Sequence, residues 1–379
     1  MANDKTFKVK NGLLAQRYLL SAGTETAGSV GYNLPVTVYD GVSFSVGTPA
    51  GTPRGMHIKP DGTKMYVIGD NSDKVNEYNL STAWDISTAS YLQDFSVSVL
   101  GETITQGLFF KSDGTKLYIL GDTNNVVYEY NLSTAWNIST TSYSQYYSVD
   151  LQESFPTDIF FKSDGTKMYV VGRGGDKVYE YNLSTAWDVS TSTYVQNFSV
   201  ASQDLNPYGL FFKSDGTKMY VTGLDGSDVN EYTLSTAWNI STASYVQSFN
   251  VSSQGTNPEA VFFKPDGTKM YVVDSNNDTI YQYTTASYTQ TLDLSTGTYF
   301  SFTPSGATEV FFTNPPASGL AAAFVLEING DGSAITWPDS VKWHKNQTPA
   351  SIASKGLYTF ITTDGGTTYY GKRAAGGLA

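Results

Sequence analysis

Apolar and polar positions recur along most of this chain in the same four short bursts. A mostly apolar run such as Gly107-Leu108-Phe109-Phe110-Lys111 suits a strand buried on both faces. A Ser-Asp-Gly-Thr or Pro-Asp-Gly-Thr turn follows, where Gly can take the positive φ that closes a short hairpin. Then come Lys167-Met168-Tyr169-Val170-Val171, a variable polar loop, and Lys177-Val178-Tyr179-Glu180-Tyr181 with period-two alternation. A longer loop carrying a Trp leads into Tyr194-Val195-Gln196-Asn197-Phe198-Ser199-Val200, so each burst predicts four strands.

The spacing of the bursts is nearly constant. Asp-Gly-Thr-Lys begins at Asp61, Asp113, Asp164, Asp215 and Asp266, at intervals of 52, 51, 51 and 51 residues, and Trp84, Trp136, Trp187 and Trp238 keep the same period. Four-stranded units repeated at this length predict an all-β fold: a five-bladed β-propeller of about 51 residues per blade over 43–295. Residues 1–42 read as an arm too short for a core of its own, and the β-type runs of 296–379 read as a small β-sandwich. The outer strand occurs six times for five blades, counting Phe44–Val46 and Thr291–Leu294. The N-terminal copy could complete the last blade. However, Tyr283 and Tyr288 are 5 apart where Tyr232 and Tyr245 are 13 apart, and this tight connection favours local closure by residues 288–294.

Composition narrows the function classes. Net charge is −12, which repels polyanions and argues against a nucleic-acid or anionic-membrane partner. The absence of cysteine excludes disulfides, thiolate metal sites and cysteine nucleophiles, and no apolar run is long enough to predict a signal sequence or a membrane span.

Candidate chemistry is sparse, and no cofactor or metal is expected. His57 stands where the other units have Phe109, Phe160, Phe211 and Phe262, which reads as a wall substitution, and His344 lies in a polar loop. Gly172-Arg173-Gly174-Gly175 imitates a phosphate loop without a following helix, and Asp274-Ser275-Asn276-Asn277-Asp278 imitates a calcium loop without its later Gly and Glu. The four loop tryptophans could be sugar-stacking platforms, but the whole loop is copied with them, which favours a structural role. Alternating strand directions put the Asp-Gly-Thr-Lys turns and Trp loops on one face and the variable loops on the other. There, at the predicted mouth of the central channel, Arg54, Gln106, Thr157, Tyr208 and Glu259 occupy equivalent positions. A ring that differs in every blade suits an asymmetric ligand, with Tyr208 as a stacking surface, although unconstrained loops also drift.

The repeats resemble the YVTN-type propeller family, through a strand followed by Pro/Ser-Asp-Gly-Thr-Lys and Leu/Met-Tyr-Val. The stretch Lys5-Thr6-Phe7-Lys8-Val9-Lys10-Asn11-Gly12-Leu13-Leu14-Ala15-Gln16-Arg17-Tyr18-Leu19 resembles the start of structural proteins from marine tailed bacteriophages. Thr313-Asn314-Pro315-Pro316-Ala317-Ser318-Gly319, Ile335-Thr336-Trp337-Pro338 and Asp364-Gly365-Gly366-Thr367-Thr368-Tyr369-Tyr370-Gly371 resemble the terminal module of tail-fibre-like phage proteins. These resemblances imply a non-enzymatic virion protein of tail-fibre or appendage type, assembled in the host cytoplasm and exposed on the particle. Its implied partners are other virion proteins, further copies of itself as a homo-oligomer or trimer, and a host-surface glycan or receptor. A capsid decoration protein is one alternative. A propeller lactonase or glycan hydrolase is another, but it would need acidic residues or His converging in a channel whose inner strands offer Leu-Phe-Phe and Val-Phe-Phe.

Overall fold

The structure, a computed structural model, describes residues 22–70, 73–97, 101–304, 306–330, 332–346, 348–349 and 351–378. Five four-stranded antiparallel sheets form the blades of a propeller. Their innermost strands are Pro53–Ile58, Thr105–Phe110, Pro156–Phe161, Pro207–Phe212 and Pro258–Phe263. The second strand of each blade is buried on both faces, as its unbroken apolar run requires. Each core cluster therefore spans two neighbouring blades: Tyr66 and Ile68 of blade one pack with Leu108, Phe110 and Leu117 of blade two.

Local chemistry explains the repeated turn and loop. In each Asp-Gly-Thr-Lys turn the Gly has φ of 70° to 76°, and in blade three the Asp164 carboxylate accepts the Thr166 amide at 3.0 Å. The Trp of the same blade folds onto that Gly, and a Cβ on Gly165 would lie 2.4 Å from the Trp187 ring. Only glycine fits there, both for its backbone and for the ring above it. The Trp carbonyl then accepts a hydrogen bond from a buried Tyr of the preceding blade: Tyr66 to Trp136 at 2.6 Å, Tyr118 to Trp187 at 2.7 Å, Tyr169 to Trp238 at 2.6 Å and Tyr271 to Trp84 at 2.6 Å. The tryptophans are thus inter-blade stitches, in keeping with the structural reading of Trp84, Trp136, Trp187 and Trp238.

Ring closure differs from the sequence expectation. The outer strand of blade five is Val38–Ser45, which pairs with Thr279–Thr284, while Ser287–Asp293 leaves the propeller. The deleted loop explains why. Without its Trp, the turn glycine Gly267 has no ring to cover it, and a tight hairpin could not provide one. The N-terminal segment brings Tyr32 instead: its amide donates to the Gly267 carbonyl at 2.7 Å, and a Cβ on Gly267 would lie 2.0 Å from its ring. Tyr32 has φ of 59°, close to the 63° to 67° of the four tryptophans, and its carbonyl accepts from the Tyr220 hydroxyl at 3.5 Å, so the ring of stitches has five members. A second exchange accompanies it. In blades one to four a buried Glu (Glu77, Glu129, Glu180, Glu231) takes a Lys from the adjacent strand and a Gln from the outer strand. In blade five the types are reversed, with Gln282 inside and Asp40 on the outer strand, joined at 2.8 Å.

Domain boundaries move accordingly. The propeller is Gly31–Thr285, not 43–295, and the second unit takes the described residues up to Val30 together with those from Ala286 onward. That unit has two sheets. One joins Thr24–Val30, Ser287–Asp293, Thr308–Thr313 and Ile335–Thr336; the other joins Tyr299–Phe302, Ala322–Asn329, Val341–Trp343, Lys355–Thr362 and Tyr369–Leu378. Leu292 and Val310 from the first pack with Phe300, Phe324, Leu326 and Phe360 from the second, as expected of a small sandwich. The stretch Lys5–Leu19 that carries the N-terminal phage resemblance lies outside the described residues.

Candidate functional sites at the two ends of the channel

On the face of the variable loops, the five predicted residues are each the second residue of an inner strand. They do not line an open mouth. Arg54 bridges Asp70 at 2.7 Å and Glu259 at 2.5 Å, and Glu259 also accepts from the Ser275 hydroxyl at 2.6 Å. Gln106 donates to Asp122 at 3.4 Å; Asp122 in turn faces Arg173 at 3.6 Å, whose guanidinium donates to the Tyr208 hydroxyl at 2.9 Å and lies over its ring. Thr157 turns inward and donates to the Pro207 carbonyl at 3.0 Å. Tyr208 is 5% exposed, so the expected stacking surface is a correction: its ring is packed and its hydroxyl is engaged. Burial pushes the Glu259 carboxyl up, and Arg54 beside it acts in the opposite direction.

The two loop motifs singled out in the sequence are also occupied from within. The Glu153 carboxylate accepts the amides of Gly174 and Gly175 at 2.9 and 3.1 Å, the donors a phosphate would need. Asp274 accepts the amides of Asn257 and Asn277 at 2.7 and 2.8 Å, which ties two loops together in place of a calcium ion. Among the described residues no three His, Asp or Glu side chains converge as metal ligands. Sequence reasoning missed the regularity behind this. Glu102, Glu153 and Asp204, spaced by 51 residues, each fill the space beside a glycine, Gly121, Gly172 or Gly223. Blade five reverses the pair, with Asp274 at the glycine position and Gly255 at the acid position. The 51-residue spacing of the acids was the available signal.

The channel closes in the middle. Its third-position residues are Gly55, Gly107, Asp158, Gly209 and Ala260, and a Cβ on Gly107 would lie 2.4 Å from the Asp158 carboxylate. Four small residues leave room for one carboxylate, which accepts the amides of Ile159 and Leu210, each at 2.8 Å. Burial raises the Asp158 carboxyl to about 7. A carboxyl raised in the folded state binds its proton more tightly there, so its contribution to stability is complete below about 4 and lost as pH rises through about 7. Melting temperatures should show this. The wild type should lose stability relative to Asp158→Asn between pH 4 and 8, by roughly 4 kcal/mol at most; parallel pH profiles would contradict the assignment.

At the other end, His57, Phe109, Phe160, Phe211 and Phe262 form a closed cycle of edge-to-face contacts with centroids 5.1 to 5.5 Å apart. His57 is the wall substitution expected, and burial lowers its imidazole to about 3, so it is neutral at pH 7. His344 is exposed in the terminal unit. Above the cycle a funnel of about 160 Å³ opens to the face of the Asp-Gly-Thr-Lys turns, with Tyr32, Trp187 and Trp238 in its wall.

No family model matches the chain, and no curated protein matches it. Solved structures do resemble it. A candidate 6-phosphogluconolactonase from Bacteroides uniformis is 12% identical, with a TM-score of 0.40 over 59% of this chain and 64% of that one. The periplasmic gluconolactonase PpgL of Pseudomonas aeruginosa is 16% identical, with a TM-score of 0.37 over 61% and 66%. The β-propeller domain of Cps50 from Myceliophteria thermophila is 11% identical, with a TM-score of 0.37 over 61% and 69%. The chain spans just under two thirds of the length of the first two proteins. Likeness at this identity concerns the fold alone.

Proposed function

We propose that the chain is a non-enzymatic structural protein of a bacteriophage particle, of tail-fibre or appendage type, whose propeller is displayed for contact with a host surface or another protein. One observation carries the reading furthest. Residues from both sides of the propeller sequence fold into a single unit, with Thr24–Val30 paired to Ser287–Asp293, so the propeller is an insertion carried by a terminal module. That is the connectivity of a display domain on a base, and it agrees with the phage resemblance of the terminal motifs. The channel adds support: the charged groups at its polar end are spent on one another, its middle is closed around Asp158, and its other end is narrowed by five rings. Mass spectrometry of purified particles, made from the genome encoding the chain, should find it as a stoichiometric component. A chain abundant in the lysate and absent from the particles would overturn the proposal.

The terminal module is also the proposed self-association surface. Ile361 and Tyr370 are paired across neighbouring strands, and both remain exposed, at 50% and 63%. An uncovered apolar pair of this kind suits a contact between copies. The Ile361→Lys/Tyr370→Lys double variant should reduce the mass measured by light scattering from that of an oligomer to that of one chain. A mass that does not change would count against this surface.

A further inference from the structure

We infer that the aromatic funnel binds a small organic cation of the trimethylammonium class. The inference goes beyond the virion reading and does not depend on it. The funnel is walled by aromatic side chains from all five blades, and Phe109, Phe160 and Phe262 stay only half-buried around its floor. Its mouth is open to solvent at the exposed Pro60, Ser112 and Ser163. A volume of about 160 Å³ is on the scale at which a dry apolar cavity admits a benzene-sized guest.

Further observations select a cation over a neutral guest. Aromatic rings carry negative charge on their faces, and a cluster of them around one axis attracts a weakly hydrated cation. On the far side of the same rings the channel holds Asp158, in a small cavity it shares with His57; no cationic side chain bonds to it among the described residues, and its carboxyl adds a negative charge as pH rises through about 7. The rim's positive charge is paired: Lys59, Lys111, Lys162, Lys213 and Lys264 are each held at 2.7 Å by the aspartate two residues on, and Lys213 also lies over the Tyr32 ring at 5.9 Å. With a net charge of −12, the chain as a whole also draws cations. The floor contains one polar group without a partner. His57 is 8% exposed, it lines the funnel, and its imidazole has no hydrogen bond among the described residues, which leaves it free to bond a hydroxyl on the guest.

The test compares charge at constant shape. The intact chain is titrated with choline, tetramethylammonium and 3,3-dimethylbutan-1-ol, the uncharged isostere of choline, following tryptophan fluorescence and heat. Trp187 and Trp238 in the wall report occupancy. Choline and tetramethylammonium should saturate, and the alcohol should bind roughly tenfold more weakly. Phe160→Leu keeps an apolar wall and should weaken choline several-fold. Phosphocholine binding at least as tightly as choline would support a polymer-borne or lipid-borne headgroup, and weaker binding would support the free solute. The proposal is overturned if the alcohol binds as tightly as choline, or if neither cation gives a saturable response. Both outcomes are read on the unmodified chain, whatever the stability of the variant.

Discussion

A chain that begins at residue 47 is expected not to fold into a stable propeller. It lacks Tyr32 and Leu34, both buried, and the strand that carries Phe44 against Tyr78 of blade one. Removing a large buried side chain costs roughly 2–5 kcal/mol, so losing these together reaches the whole stability of an ordinary domain, about 5–15 kcal/mol. The single substitution Tyr32→Ala should already lower the melting temperature, because it uncovers Gly267 and removes a ring packed on Phe263 at 5.3 Å. Limited proteolysis gives the same information by another route, with early cuts in blade five of the truncated chain. If the truncated chain melts like the full one, residues 288–294 close the ring after all.

The second large effect is expected at the polar end of the channel. Arg54→Ala leaves Glu259, 1% exposed, without its cation and Asp70 without its partner. Stranding a buried charge in this way costs about 3–5 kcal/mol. Adding Glu259→Gln should recover much of the loss, since a neutral amide no longer needs the guanidinium. The measurement is the urea midpoint of the two single variants and the double variant. If Arg54→Ala leaves stability unchanged and lowers attachment to cells, the ring is a receptor site rather than a structural clasp.

These two cases mark what could be read along the chain. The blades, their turns and the Trp loops were legible because the same contacts recur, five times for the turns and four for the Trp loops, and leave the same letters at a fixed spacing. Closure was not, because blade five makes the same contacts with different letters: Tyr32 stands for a Trp, and Gln282 with Asp40 stands for Glu with Gln. Reciprocal exchange preserves the physics and erases the pattern. The equivalence of the five inner-strand positions was legible and their engagement was not, since Tyr208 and Glu259 take Arg173 and Arg54 from other blades and no local signal names either arginine as the partner. The reversed pair Gly255 and Asp274 hid the acid latch in the same way.

The central claim, that the propeller is carried on a phage particle by a module built from both flanks of its sequence, is tested most directly by electron cryo-microscopy of whole particles labelled with an antibody to blade three. The account predicts label at an exposed appendage, with ring-shaped density of five blades under it. Particles that bind no label and show no such density would contradict it.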